Sequence, residues 1–208
     1  MEEPALSIWL NRFPLILASR SEARLAMLRS VGIPVEVISS QIDERSAQQT
    51  LGIHATSREI GLHLAKLKAA DVASRFPDRI VLGSDQTLEM AGTTFAKAVT
   101  LAEAKTRLLQ MAGRTHELHS AYAIMWNAII IASGVRTAKI ALRPFSEDFL
   151  KAYLEASSQS VLGSVACYQV EGLGAQLIEN IEGDWFTILG LPLWDVLADL
   201  RNHEHLLR

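Results

Sequence analysis

Between Leu118 and Val135 the chain runs for eighteen residues without an Asp, Glu, Lys or Arg, which just reaches the length a membrane-crossing helix needs. Such a stretch has two readings, a span or a pair of buried strands. His119, Ser120, Asn127, Ser133 and Gly134 interrupt it, and Trp126-Asn127 divides two runs rich in β-formers. The spacing therefore predicts a hairpin from His116 to Arg143 rather than a span.

What precedes the hairpin alternates strand and helix. Leu15-Ile16-Leu17-Ala18 reads as a buried strand, and Ser21 caps a helix with Leu25, Leu28 and Val31 on its apolar stripe, closed by Gly32 and Pro34. Val35 to Ile38 reads as a second strand. Thr56 and Glu59 have capping-box spacing, with Ile60, Leu64 and Leu67 as the expected buried face of the longest helix. Ile80 to Leu88 reads as a strand ending at an Ala91-Gly92 turn. Thr100 and Glu103 make a second capping box, opening a helix with Leu101, Ala104, Leu108 and Met111 facing inward. After the hairpin, Ser146 caps a short helix, Leu177 to Ile181 leads into a Glu182-Gly183-Asp184 turn, and Pro192 opens a terminal helix. Alternation followed by a hairpin predicts an α/β fold with a twisted mixed sheet flanked by helices. With no repeat, low-complexity tract or linker, residues 1–208 read as a single unit.

Composition removes several function classes. The chain has 208 residues, 20 Lys and Arg against 23 Asp and Glu, and a net charge of −3, so it has no global basic field for a nucleic acid. A small polyanion is a different case, because a few converging cations can serve it. The single Cys167 allows neither an intrachain disulfide nor a cysteine zinc site and fits a reducing, cytoplasmic setting. The N-terminal segment MEEPALSIWLNRFP lacks the basic start and long apolar run of a secretory signal, so no membrane or export role is expected.

Two places carry candidate chemistry. In Ala18-Ser19-Arg20-Ser21-Glu22-Ala23-Arg24 a strand turns into a helix whose first N–H groups and dipole suit an anion, although this segment alone favours a capping serine among solvated arginines. Asp85 sits inside the apolar Ile80–Leu88 strand, where a carboxylate needs a cation, several donors, or a divalent metal with a phosphate beside it. Lys68 and Lys97 bracket it in sequence, and Asp43-Glu44 offers further carboxylates. Other signals are discounted. His116 and His119 lie three apart on a strand and so point to opposite faces. His203 and His205 read as solvated, Trp126, Trp185 and Trp194 as packing residues, and neither a dinucleotide fingerprint nor a Walker motif occurs.

Taken together the segments resemble the Maf family of nucleotide pyrophosphatases, also described as septum-formation inhibitors, from about Leu15 to Arg201. The blocks are Ala18–Arg24, Leu64-Ala65-Lys66-Leu67-Lys68-Ala69, Gly83-Ser84-Asp85-Gln86, Phe95-Ala96-Lys97-Ala98, Gly113-Arg114-Thr115-His116, Val170-Glu171-Gly172-Leu173-Gly174, Glu182-Gly183-Asp184 and Gly190-Leu191-Pro192. The resemblance implies two lobes about a central cleft, a homodimer, and hydrolysis of a nucleoside triphosphate between the α and β phosphates with Mg²⁺ or Mn²⁺. It makes Asp85 the catalytic carboxylate and a metal ligand, Glu44 a second metal ligand, and Ser19, Ser21, Arg24, Lys68 and Lys97 the phosphate contacts.

The departures from the family pattern are informative. Glu22 and Ala23 stand where the opening motif usually has proline and a basic or bulky residue, and Ala98 follows Lys97 where proline is usual. Glu171 replaces the glutamine of the branch that resembles dTTP/UTP pyrophosphatases, and with Ser84-Asp85-Gln86 it matches the branch acting on 7-methyl-GTP. A carboxylate can accept both N1–H and the 2-amino group of guanine, so Glu171 is the candidate base contact; metal binding and a plain loop carboxylate are the alternatives. A dTTP/UTP pyrophosphatase and a non-hydrolytic nucleotide-binding regulator of cell division are the other functional readings.

Overall fold

The computed structural model of the protein describes residues 8–208; the reading of the N-terminus as lacking an export signal lies partly outside them. The first half builds β1 (Leu15–Leu17), α1 (Glu22–Ser30), β2 (Val35–Val37), α2 (Glu44–Gln49), α3 (Ser57–Ala73), β3 (Val81–Met90) and β4 (Thr93–Phe95). Then come α4 (Leu101–Met111), the long hairpin β5 (Thr115–Trp126) and β6 (Ile129–Leu142), α5 (Glu147–Ser157), β7 (Ile178–Glu182), α6 (Trp185–Leu189) and α7 (Leu193–Asn202). Among the described residues the strands form one mixed sheet in the order β2-β1-β3-β5-β6-β7, with β4 attached to the end of β3. β1 is parallel to β2 and β3, and the remaining pairs are antiparallel. The charge-free stretch is the middle of β5–β6, turned at Asn127 and Ala128 with positive φ. Among the described residues no helix is long and apolar enough to cross a membrane.

The expected caps form where short-range geometry sets them. Ser21 accepts from Arg24 N, Thr56 and Glu59 complete a capping box, and Ser146 accepts from Phe149 N. At α4 the box is offset, since Thr100 accepts from Glu103 N but the Glu103 carboxylate takes Val99 N instead of Thr100 N. The buried face of α3 also differs from expectation. Gly61, Leu64, Ala65, Lys68, Ala69 and Val72 face the sheet, while Ile60 and Leu67 are half-buried. The cause is Gly83 on β3. A Cβ there would lie 2.2 Å from Ala65 O and 2.6 Å from Ala69 N, so helix backbone rests directly on strand backbone and small residues must line the contact. The C-terminal tail is packed only in part: His203 is exposed, as expected, but His205 is buried edge-on against Trp126 and Leu206 bridges to Trp9.

Side-chain alternation along the central strands divides the core. Leu15, Leu17, Leu82, Tyr122 and Ile124 pack under α1 and α7, whereas Leu88, Leu118, Ala138 and Ile140 pack under α4 and α5. On that same face Ser84, Gln86 and Ser120 form a polar belt between the two clusters. The opposite face carries α3 over Ile16, Val81 and Ala123. Thus α1 and α3 cover opposite faces, and the order reverses between β1 and β3, the kind of crevice where open α/β sheets bind ligands.

Candidate active site

On its β1 side, β3 meets β1 only at Val81–Leu82 and β4 only at Leu88–Met90. Gly83 to Thr87 therefore run along a gap between two short strands, and a cavity of about 650 Å³ opens there. Ser19, Ser21, Arg24, Glu44, Lys68, Asp85, Lys97 and Glu171 all line it, so residues from six segments of the chain meet at one place.

Lys68 is the hub. Its ammonium, carried on the sheet-facing side of α3, lies 2.6 Å from Asp85 Oδ1 and 2.8 Å from Glu44 Oε1. Asp85 projects from β3 toward α3 and is buried, while Glu44 is exposed at the first turn of α2. This short helix, N-capped by Asp43, is too brief to announce itself by periodicity. Burial pushes the Asp85 carboxyl above its ordinary range, with Lys68 and then Arg24 pulling back against it.

Arg24 is placed otherwise than as an open anion contact. It is buried, with Nε donating to Gly190 O at 2.7 Å and Nη1 donating to Ser19 Oγ at 2.9 Å and Ser84 O at 3.0 Å. The Ser84 carbonyl lies on the unpaired edge of β3, so the guanidinium takes the place of a neighbouring strand. Burial lowers the Arg24 pKa, opposed by Asp85 and Glu44. Lys97 is exposed on the cavity rim, yet the surrounding protein partly desolvates its ammonium; with Arg24 beside it, its pKa also falls. Ser21 N bonds Ser19 Oγ, tightening the turn that opens α1.

A second set of residues escapes sequence reasoning. At the C-terminal end of α6, where carbonyls run out of i+4 helical donors, side chains step in: Thr187 O, which also takes Gly190 N, accepts from Ser120 Oγ and Gln86 Nε2, Ile188 O accepts from Gln86 Nε2, and the carbonyl of Gly190, the residue after the helix, accepts from Arg24 and Ser84 Oγ. The side chains flanking Asp85 on β3 thus hold α6 across the polar belt. The nearest sequence signal is the Asp184 N-cap and the Gly190 with φ +104° at the two ends of this helix. Glu171 is exposed at the cavity, at the end of a run of lining residues between Gly163 and Glu171. Among the described residues no three His, Cys, Asp or Glu side chains cluster as a self-sufficient metal site.

A family model described as Maf-like protein matches residues 14–203. The chain is 43% identical over 199 residues to a nucleoside triphosphate pyrophosphatase of Rhodopseudomonas palustris strain HaA2, covering 96% of this chain and 98% of that one. It is 43% identical over 191 residues to another protein of that name from Caulobacter vibrioides, covering 91% and 96%. Among solved structures, a HAM1 protein from Coxiella burnetii aligns with a TM-score of 0.42 and 19% identity, over 62% of this chain and 73% of that one. With the family model spanning nearly the whole sequence and relatives at this identity over nearly their full length, the chain belongs to the Maf-like protein family.

Proposed function

We propose that this chain is a nucleoside triphosphate pyrophosphatase that cleaves between the α and β phosphates, releasing the nucleoside monophosphate and pyrophosphate, with 7-methyl-GTP as its preferred class of substrate. The observation that carries the proposal is the Lys68 ammonium held between Asp85 at 2.6 Å and Glu44 at 2.8 Å on the wall of a cavity that Lys97, Arg24 and the start of α1 also line. In-line attack on phosphorus needs a placed water, a cationic surround for the non-bridging oxygens and a stabilised leaving group. Lys68 and Lys97 supply mobile positive charge, and the N–H groups opening α1 add fixed dipoles. Burial raises the proton affinity of Asp85, and it becomes a stronger proton acceptor still as Lys68 turns from it to the phosphates.

A divalent cation fits the donors present. Four cationic and four acidic side chains line the cavity, Arg20, Arg24, Lys68 and Lys97 against Glu22, Glu44, Asp85 and Glu171. The site is formally neutral toward a highly anionic triphosphate, so extra positive charge is required. Mg²⁺ or Mn²⁺ is commonly held by one or two carboxylates plus substrate phosphates, and Asp85 and Glu44, brought together on one ammonium, are the pair that would hold it. When bound, the cation offsets phosphate charge and lowers the pKa of water.

The 7-methyl-GTP preference rests on Glu171, exposed on the cavity wall where a carboxylate can accept both donors on the pairing edge of guanine. The same reading has the chain act as a single-domain, cytoplasmic homodimer without a nucleic-acid partner, as the family resemblance and the net charge of −3 suggest. The test is pyrophosphate release from a panel of normal and modified triphosphates with Mg²⁺ or Mn²⁺. Asp85→Asn is expected to lower kcat by about 10²–10⁴-fold. Glu171→Gln should shift the ratio of 7-methyl-GTP to UTP turnover about tenfold toward UTP. Wild-type preference for dTTP or UTP, or an unchanged ratio in Glu171→Gln, removes the base assignment; binding without turnover on any triphosphate favours the regulator.

A further inference from the structure

The wall that carries Glu171 is tied to the sheet by a buried pair the reaction does not use. His116 on β5 and Tyr168 are both almost fully buried, and His116 Nε2 shares a 2.8 Å hydrogen bond with the Tyr168 hydroxyl. The other ring nitrogen, Nδ1, is buried without a hydrogen-bond partner. In either tautomer the imidazole leaves one polar atom unsatisfied inside an apolar cluster, an arrangement that detracts from stability and calls for another explanation. The neighbouring anchors act on the same segment. Tyr153 Oη donates to Cys167 O, Arg107 Nη1 donates to Val165 O, and Cys167 itself holds a φ of +59°, uncommon for a residue with a side chain. Behind them Gly174 is obligatory, since a Cβ there would stand 2.5 Å from Gln169 O and 2.8 Å from Gln169 N. Three side chains from β5, α4 and α5 thus fix a segment that is otherwise loop, and its exposed end presents Glu171 to the cavity.

We propose that His116 and Tyr168 are positioning residues for nucleobase selection: their buried hydrogen bond sets the placement of the Val165–Glu171 wall against the base, while Lys68, Asp85 and Lys97, on other elements, meet the phosphates independently of it. The proposal deepens the pyrophosphatase reading and rests on it. It separates base discrimination from chemistry, because the wall is held from β5, whereas the ion cluster is held between α3, β3 and α2. A purely structural His116–Tyr168 pair would lower activity on every triphosphate alike.

The experiment compares the full-length wild type with Tyr168→Phe, which keeps the ring and removes the hydroxyl, His116→Leu, and His116→Gln, whose amide can reach the Nε2 position. Two readouts are taken, amide hydrogen exchange by mass spectrometry and kcat and KM across the triphosphate panel. In Tyr168→Phe and His116→Leu, exchange in 164–171 is expected to rise about tenfold with β1, β3 and α3 unchanged. The spread of kcat/KM between best and worst bases should shrink about tenfold, mostly through KM. His116→Gln should retain most of that spread. Unchanged exchange in 164–171 overturns the anchoring whatever the enzyme turns over, and a uniform fall in kcat with the base spread intact overturns the role in selection. Failure of the base reading has its own signature, a ranking of bases unmoved by Glu171→Gln while exchange still responds to Tyr168→Phe.

Discussion

Arg24 illustrates how a residue can line a site while directing most of its hydrogen bonds into the protein. Its Nε and Nη1 are committed to acceptors on the β1–α1 turn, β3 and the residue after α6. A planar guanidinium can serve these directions at once, whereas a lysine ammonium on a flexible stem cannot. Arg24→Lys is therefore expected to cost about 2–4 kcal/mol of stability through lost hydrogen bonds to a buried charge and acceptors left unpaired. Urea denaturation of the ligand-free protein measures this; an unchanged midpoint would mean that the contacts are incidental and that Arg24 serves the phosphates alone. Lys68 differs in kind. It makes two ion pairs, one to the exposed Glu44, and bonds no backbone carbonyl in the way Arg24 does.

At the scale of elements, the contact between α3 and β3 couples packing to chemistry. Lys68 lies between Ala65 and Ala69, the two residues whose backbone atoms crowd Gly83. Gly83→Ala must push that turn of helix off the strand, since no flexible side chain is there to yield. A stability loss of about 2–3 kcal/mol is expected from overpacking against backbone. Turnover should also fall about tenfold as the Lys68 ammonium leaves its position, since small misplacements of a positioning group are costly. Thermal unfolding and kcat measured together check this, and loss of stability with full turnover would break the proposed coupling. Sequence reading reached the elements whose signals are local: the caps at Ser21, Thr56 and Ser146, the 116–143 hairpin and the strand around Asp85. It missed α2 and α6, which are too short to show a period. It also misassigned the inner face of α3, because that face follows the closeness of a glycine ten residues beyond the helix rather than hydrophobicity. All eight candidate site residues fall on one cavity, yet the Glu44–Lys68 pair and the use of Arg24 on carbonyls depend on tertiary placement that no spacing encodes.

For the whole molecule, the two apolar clusters on one face of the sheet are separate cores joined through β3, β5 and β6, and of the polar belt between them Gln86 reaches the cavity. His116 lies within the cluster under α4 and α5, where burial lowers its pKa from 6.5 to about 4. The unfolded chain protonates this histidine near its ordinary value, so between about pH 6.5 and 4 it binds a proton that the native state refuses. Stability then falls as pH falls through that window and levels off below it; a shift of this size corresponds to about 3 kcal/mol. His119 and His205 are also shifted down by burial, but they are present equally in wild type and in a His116 variant and cancel in the comparison. His116→Gln cannot titrate there. The difference in urea-unfolding free energy between wild type and His116→Gln should accordingly shift by about 3 kcal/mol, against wild type, from pH 7 to pH 4. Parallel stability profiles for the two proteins would show that His116 is free to protonate in the folded state and that the Tyr168 anchor survives its charging.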